Sequence, residues 1–242
     1  YTTLFRSQTV ITFAAFVILF MAPGNDVRVA SEIATWMPGY KELSVGNHLF
    51  MTIQWMLSSF ANEGKAFFIA IWAAGFLLLV KSKKAKVYQS LAVVFSVVAL
   101  LPYAGISFFS EMGIGYIDIE QCLTELPTWQ TMTTQNRIAF FWWIAAVLFT
   151  LVLLWKVTGH SVFISMAFLG GIASEAVLHF SPTIYASGAR VYYLTDLMYL
   201  FIILWMVMRM DSEKKKNLFI AGAAALGIIN FLSQYSIMLL KL

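Results

Sequence analysis

The chain has 242 residues, 60% of them hydrophobic and only 12% charged, with a formal net charge of +4. A soluble domain carries about 25% charged residues, so a mean hydropathy of +0.79 excludes an ordinary soluble fold. The basic residues punctuate apolar runs instead of forming a patch, which excludes nucleic acid as a partner, and the single Cys122 excludes an intrachain disulfide framework. The composition predicts an all-α, polytopic helical membrane protein, organised as a single transmembrane domain over residues 1–242.

The chain begins at Tyr1 with a short apolar run close behind Arg6. It is therefore expected to be the C-terminal part of a longer protein. About seven spans follow from the apolar runs, at 4–21, 66–80, 87–109, 136–156, 161–179, 190–209 and 217–239. Residues 22–65 form a long external segment, which contains an amphipathic stretch, 44–60. Ser44 is placed to cap a helix there, and Asn47, His48 and Gln54 interrupt its apolar face. This stretch reads as an interfacial or re-entrant helix.

Charge sets the threading. Lys81, Lys83, Lys84 and Lys86 form one basic turn, and Lys214, Lys215 and Lys216 form another. The positive-inside rule places both in the cytoplasm. Lys156 and Arg209 fall on that side too, and Arg6 joins them only if 44–60 does not cross. The spare chain then lies outside, in residues 22–65, 110–135 and 180–189, and long connections are often functional. Localisation follows as a multi-pass plasma or inner membrane protein with its site on the non-cytoplasmic face.

Two short stretches on that face carry the candidate chemistry. Ala22-Pro23-Gly24-Asn25-Asp26-Val27-Arg28 ends the first apolar run. Pro23 and Gly24 close that helix, and Asn25 or Asp26 can cap a following short one, with Arg28 and Glu32 one turn apart. The plain alternative is a turn, a cap and an ion pair. The functional reading gives Arg28 an anionic group to grip, with Asn25 as a neutral hydrogen-bonding neighbour, because a guanidinium offers a phosphate two parallel charge-assisted bonds.

The second stretch joins two predicted spans. Glu175 and His179 lie four apart on the outer half of one, and Asp196 lies on the next, which Arg190 begins. Ionisable residues inside a span face a bundle interior or an aqueous cavity. Either Arg190 neutralises Asp196 or Glu175 and holds the hairpin together, or Arg190, Ser181 and His179 receive a phosphate while Glu32, Glu175 and Asp196 support the site. Glu111, beyond the 87–109 run, is a further candidate acid or base. Arg137 and His48 read equally well as an interfacial side chain and a packed core histidine. The histidines lie too far apart for a zinc site.

At the Ala22–Arg28 motif the chain resembles a family of bacterial polytopic membrane proteins described as glucosyltransferase-like. These carry an Ala-Pro-Gly-Asn-x-x-Arg element after a hydrophobic helix, matched here by Ala22, Pro23, Gly24, Asn25 and Arg28. The Ser181-Pro182 turn followed by Arg190 resembles the family's second element. More distantly, the chain is similar to integral-membrane glycosyltransferases that use polyprenyl-phosphate-linked sugars. The resemblance implies a glycosyltransferase of cell-envelope glycan assembly acting outside the cytoplasm. In that reading Arg28, Arg190, Asn25 and Ser181 bind the donor phosphate. The candidate catalytic residues are His179, which either bonds that phosphate or transfers a proton, and a carboxylate that activates the acceptor, either Glu111 or one upstream of Tyr1; the resemblance itself assigns no acidic residue here. Its partners would be a polyprenyl phosphate or other anionic lipid, a glycan or lipid acceptor, and a further membrane protein. No cofactor is specified, although the wider class accommodates a divalent metal. The rival readings are a lipid-linked glycan or phospholipid transport protein and a non-catalytic membrane subunit.

Overall fold

The structure, a computed structural model, describes residues 24–104, 128–159, 161–176 and 192–239, with Met21, Pro182 and Thr183. The regular elements among them are all helical: α1 Asn25–Trp36, α2 Val45–Asn62, α3 Lys65–Leu79, α4 Lys86–Leu100, α5 Thr134–Val157, α6 Val162–Ala176, α7 Tyr193–Met208 and α8 Glu213–Leu239. The predicted run 4–21 up to Met21, and most of the 110–135 and 180–189 connections, lie outside the described residues.

Local chemistry explains the helix limits. The α1 cap is Gly24, not Asn25 or Asp26: with φ of 84° it takes a left-handed conformation that costs glycine little, so the chain turns there and Asn25 is already helical. Ser44 caps α2 as expected, its Oγ accepting from the Asn47 N–H at 3.2 Å. Thr133 caps α5 in the same way through Asn136, at 3.2 Å. Helix α5 contains neither proline nor glycine, so nothing interrupts its ladder before Gly159, whose φ of 64° supplies the left-handed residue after its end.

Helix α3 is the axis of the bundle and packs against α4, α5, α7 and α8. Phe68, Ile71, Trp72 and Ala74 on it are fully buried. Gly75 lets α5 approach closely, since a Cβ there would stand 2.7 Å from Leu153 Cδ2. Small residues at helix contacts serve apolar bundles, where packing rather than water exclusion drives association. The outward faces are apolar too: Val93 and Val97 on α4, Leu148 and Val152 on α5, and Leu200 and Leu204 on α7 are all exposed. Among the described residues, α5 and α8 are long and apolar enough to cross a membrane. Helices α6 and α7 are shorter and apolar, and α2 with α3 qualifies jointly as a broken span or a re-entrant loop.

Helix α2 meets α3 at a 70° bend. An 18-residue helix is about 27 Å long, so at that angle it advances only about 9 Å along the α3 direction. It instead crosses one end of the bundle. Phe50 packs on Trp129 and Phe140 at the start of α5, and Trp55 packs on Tyr192 at the start of α7. The opposite end is tied by Asp211, which meets Lys81 at 2.8 Å and Lys215 at 2.9 Å, so the two lysine turns lie together. Hydrogen bonds from Lys81 and Lys215 hold the Asp211 carboxyl well below the usual carboxylate range. A carboxyl that titrates lower when folded keeps its bridges above its unfolded pKa of about 4 and loses them only in acid.

Candidate functional site

Near the end that α2 crosses, a polar cluster interrupts the apolar core. Glu175, in the last turn of α6, is 1% exposed. Ser59 Oγ, on α2, lies 2.7 Å from Glu175 Oε2 and 2.8 Å from the Met56 carbonyl, so its one proton is shared between two acceptors. The Thr195 hydroxyl, on α7, also faces this carboxyl. It donates to the Gly171 carbonyl at 3.0 Å and lies 3.0 Å from Ser174 Oγ. A Cβ on Gly171 would stand 3.4 Å from the Tyr199 ring, so the glycine lets α6 and α7 meet closely enough for these bonds.

Among the described residues no lysine or arginine forms an ion pair with Glu175. An ionisable group in such apolar surroundings is costly unless it is paired or hydrogen-bonded. Asp196, half-buried on α7, adds a second carboxylate close enough to act on Glu175. More polar atoms are buried in the bundle without a hydrogen-bond partner among the described residues: Gln54 Oε1, Ser58 Oγ, Trp143 Nε1 and Tyr199 OH. Gln54 and Ser58 are one turn apart on α2, and Tyr199 is one turn beyond Thr195 on α7. Each such atom left without a partner costs about 1–3 kcal/mol, so the cluster carries more polar demand than the described side chains satisfy.

The other expected site residues are placed unequally. Arg28 sits on exposed α1 with its side chain 77% accessible, and its Nε donates to Glu32 Oε1 at 2.9 Å. That is the plain i,i+4 ion pair, worth little at a surface, and it leaves the outward edge of the guanidinium facing solvent. Asn25 begins the same helix. Arg190, His179, Ser181 and Glu111 lie outside the described residues. Arg137 donates to the Trp129 carbonyl at 3.0 Å and lies over its ring, 5.0 Å from the centroid. His48 donates to the Tyr40 carbonyl at 3.1 Å and meets the Tyr40 ring edge-on. Both therefore have structural work.

The groups that sequence reasoning missed are Ser59, Ser58 and Thr195. Serines and threonines are common inside apolar helices, and only the i,i+4 spacing of Gln54 with Ser58 signals a polar stripe. Among the described residues no group of histidine, cysteine or carboxylate side chains is arranged to hold a metal ion. The chain matches no protein-family model, no curated protein sequence and no solved structure.

Proposed function

We propose that the chain is a multi-pass membrane glycosyltransferase that takes a sugar from a polyprenyl-phosphate donor at the non-cytoplasmic face. The observation that carries the reading is Glu175, a carboxyl buried among apolar helices, hydrogen-bonded by a serine from the helix that crosses their end. The Ala22–Arg28 and Ser181–Arg190 resemblances supply the reaction class. In the proposed reaction the acceptor oxygen attacks the anomeric carbon as the sugar–phosphate bond breaks. Polyprenyl phosphate departs with the bonding electrons, and the acceptor proton passes to a carboxylate. Arg28 and Arg190 neutralise the departing phosphate, with Asn25, Ser181 and His179 beside it. Glu111 is the base expected from the sequence and Glu175 a supporting residue; we assign the proton to Glu175, the carboxyl that belongs to the bundle.

Seven spans with α2 lying across the outer end satisfy the positive-inside rule, because both lysine turns then face the cytoplasm. In a Cys122→Ser background, Lys84→Cys is expected to react with an impermeant thiol reagent only from the cytoplasmic side, and Val45→Cys only from outside. Labelling of Lys84→Cys in intact cells would overturn the threading.

Arg28→Lys and Arg190→Lys test the phosphate contacts. Lysine keeps the charge but loses the two-pronged contact. Transfer from a defined polyprenyl-linked sugar should fall by about tenfold or more in each, since a charge-assisted bond contributes ~1.5–3 kcal/mol. Both proteins should insert and melt like the wild type. Unchanged transfer in both variants would remove the arginine mechanism.

A further inference from the structure

A cleft of about 500 Å³ opens between α3, α4 and α8, a volume typical of small-molecule sites. Its walls are almost wholly apolar, among them Trp72, Phe76, Leu100, Phe219 and Ile229, with Ser96 as the hydroxyl in the lining. Trp72 turns its only polar atom away, donating Nε1–H to Thr150 Oγ1 at 2.8 Å, so the cleft meets its carbon ring. Three polar groups lie just beyond the lining. Lys65 stands one turn before the lining residue Ile69, Tyr103 lies three residues beyond Leu100, and Asn230 follows Ile229.

Tyr103 touches both of the others. The Lys65 ammonium lies over the Tyr103 ring, 4.5 Å from its centroid, and Tyr103 OH donates to Asn230 Oδ1 at 2.7 Å. The Asn230 amide nitrogen therefore remains a donor. Lys65 is half-buried and forms no ion pair among the described residues; exposed Glu63, two residues earlier, acts on it only through space. A cation on the first residue of a helix also opposes the helix dipole. A half-buried ammonium at the head of a hydrocarbon-lined cleft is complementary to a lipid with one anionic head. The turn that introduces Lys65 is anchored on Ser59, whose carbonyl accepts from the Glu63 and Gly64 N–H groups at 2.8 and 2.9 Å. Ser59 also bonds Glu175, so one residue ties the start of α3 to the proposed reaction site.

We propose that the cleft seats the hydrocarbon chain of the polyprenyl-phosphate donor and that Lys65 holds its phosphate, a placement that rests on the function proposed above. The donor phosphate then meets Lys65 from the bundle and the arginines from the external segments. Cleavage of the bond from the anomeric carbon to the phosphate oxygen leaves the polyprenyl phosphate in the cleft, while the sugar passes to the acceptor oxygen, whose proton goes to Glu175.

Native mass spectrometry of the full-length protein, titrated with a long-chain polyprenyl monophosphate or the matching polyprenol, tests the seat. Lys65→Gln is expected to weaken the phosphate lipid by about tenfold or more and to leave the polyprenol unchanged. Gly222→Phe adds a ring at the cleft wall, where a Cβ meets nothing within 4 Å, and a thermal melt matching the wild type checks that the fold is kept. That variant should lose both lipids. Wild-type affinity of Lys65→Gln for the phosphate lipid, or of Gly222→Phe for both, overturns the seat. Phosphatidylglycerol binding as tightly as the polyprenyl phosphate overturns the donor assignment. Transfer by a protein that fails this test leaves the enzyme reading standing without the seat. Binding as expected without transfer in any preparation supports the seat and rejects the enzyme.

Discussion

Replacing Phe68 with alanine is expected to cost on the order of 3 kcal/mol. Phe68 is fully buried on the axial helix α3. Its ring centroid lies 5.2 Å from Phe60, 5.7 Å from Trp72, 5.5 Å from Trp143, 6.1 Å from Phe168 and 5.5 Å from Tyr199. Five helices, α2, α3, α5, α6 and α7, therefore meet on one side chain. Between apolar helices in a bilayer, contact packing and the cavity left behind set the cost, because hydrocarbon solvates an exposed ring as well as a core does. Edge-on and tilted aromatic pairs add about 0.5–1.5 kcal/mol each in favourable geometry. Leu148, exposed on the outward face of α5, is the matched control. Leu148→Ala should change stability by less than about 0.5 kcal/mol. Unfolding in mixed micelles measures both, and equal losses would contradict the assignment of Phe68 to a shared core.

Much of this architecture is legible in the sequence because hydrocarbon thickness and capping are local constraints. The apolar run 136–156 becomes Thr134–Val157, and 66–80 becomes Lys65–Leu79. Ser44 caps α2, and Arg28 meets Glu32 one turn on. The two lysine turns, placed together by charge bias, do share Asp211. What local pattern cannot give is direction between elements. Nothing in Asn62-Glu63-Gly64-Lys65 announces a 70° bend. The start of α1 is misjudged by one or two residues because glycine, usually a helix terminator, here serves as the opening cap.

The site is legible only in part. Glu175 stands out in the sequence because a carboxylate in an apolar run needs a reason. Its partner Ser59 is 116 positions away and belongs to a residue type too common in apolar helices to be singled out. Lys65 is hidden for a different reason: at the edge of a predicted span it looks like an interfacial anchor. Only the fold brings Tyr103 and Asn230 to it and puts a hydrocarbon-lined cleft below.

The second large effect concerns Glu175. Glu175→Gln keeps the shape of the side chain and an oxygen to accept the Ser59 proton, so the contacts of α2 with α6 should survive and the protein should melt like the wild type. The variant removes only the capacity to take a proton. A positioned general base contributes roughly 10²–10⁴-fold, and transfer should fall by at least about a hundredfold, with donor binding retained. Ser59→Ala keeps the carboxyl but removes its donor, and should lower transfer less than Glu175→Gln does. The direct measurement is single-turnover transfer from a defined polyprenyl-phosphate-linked sugar by matched amounts of folded full-length wild type, Glu175→Gln and Glu111→Gln. The account predicts transfer by the wild type and by Glu111→Gln, and a loss of at least about a hundredfold in Glu175→Gln. Wild-type transfer by Glu175→Gln, or loss of transfer in Glu111→Gln alone, would contradict it.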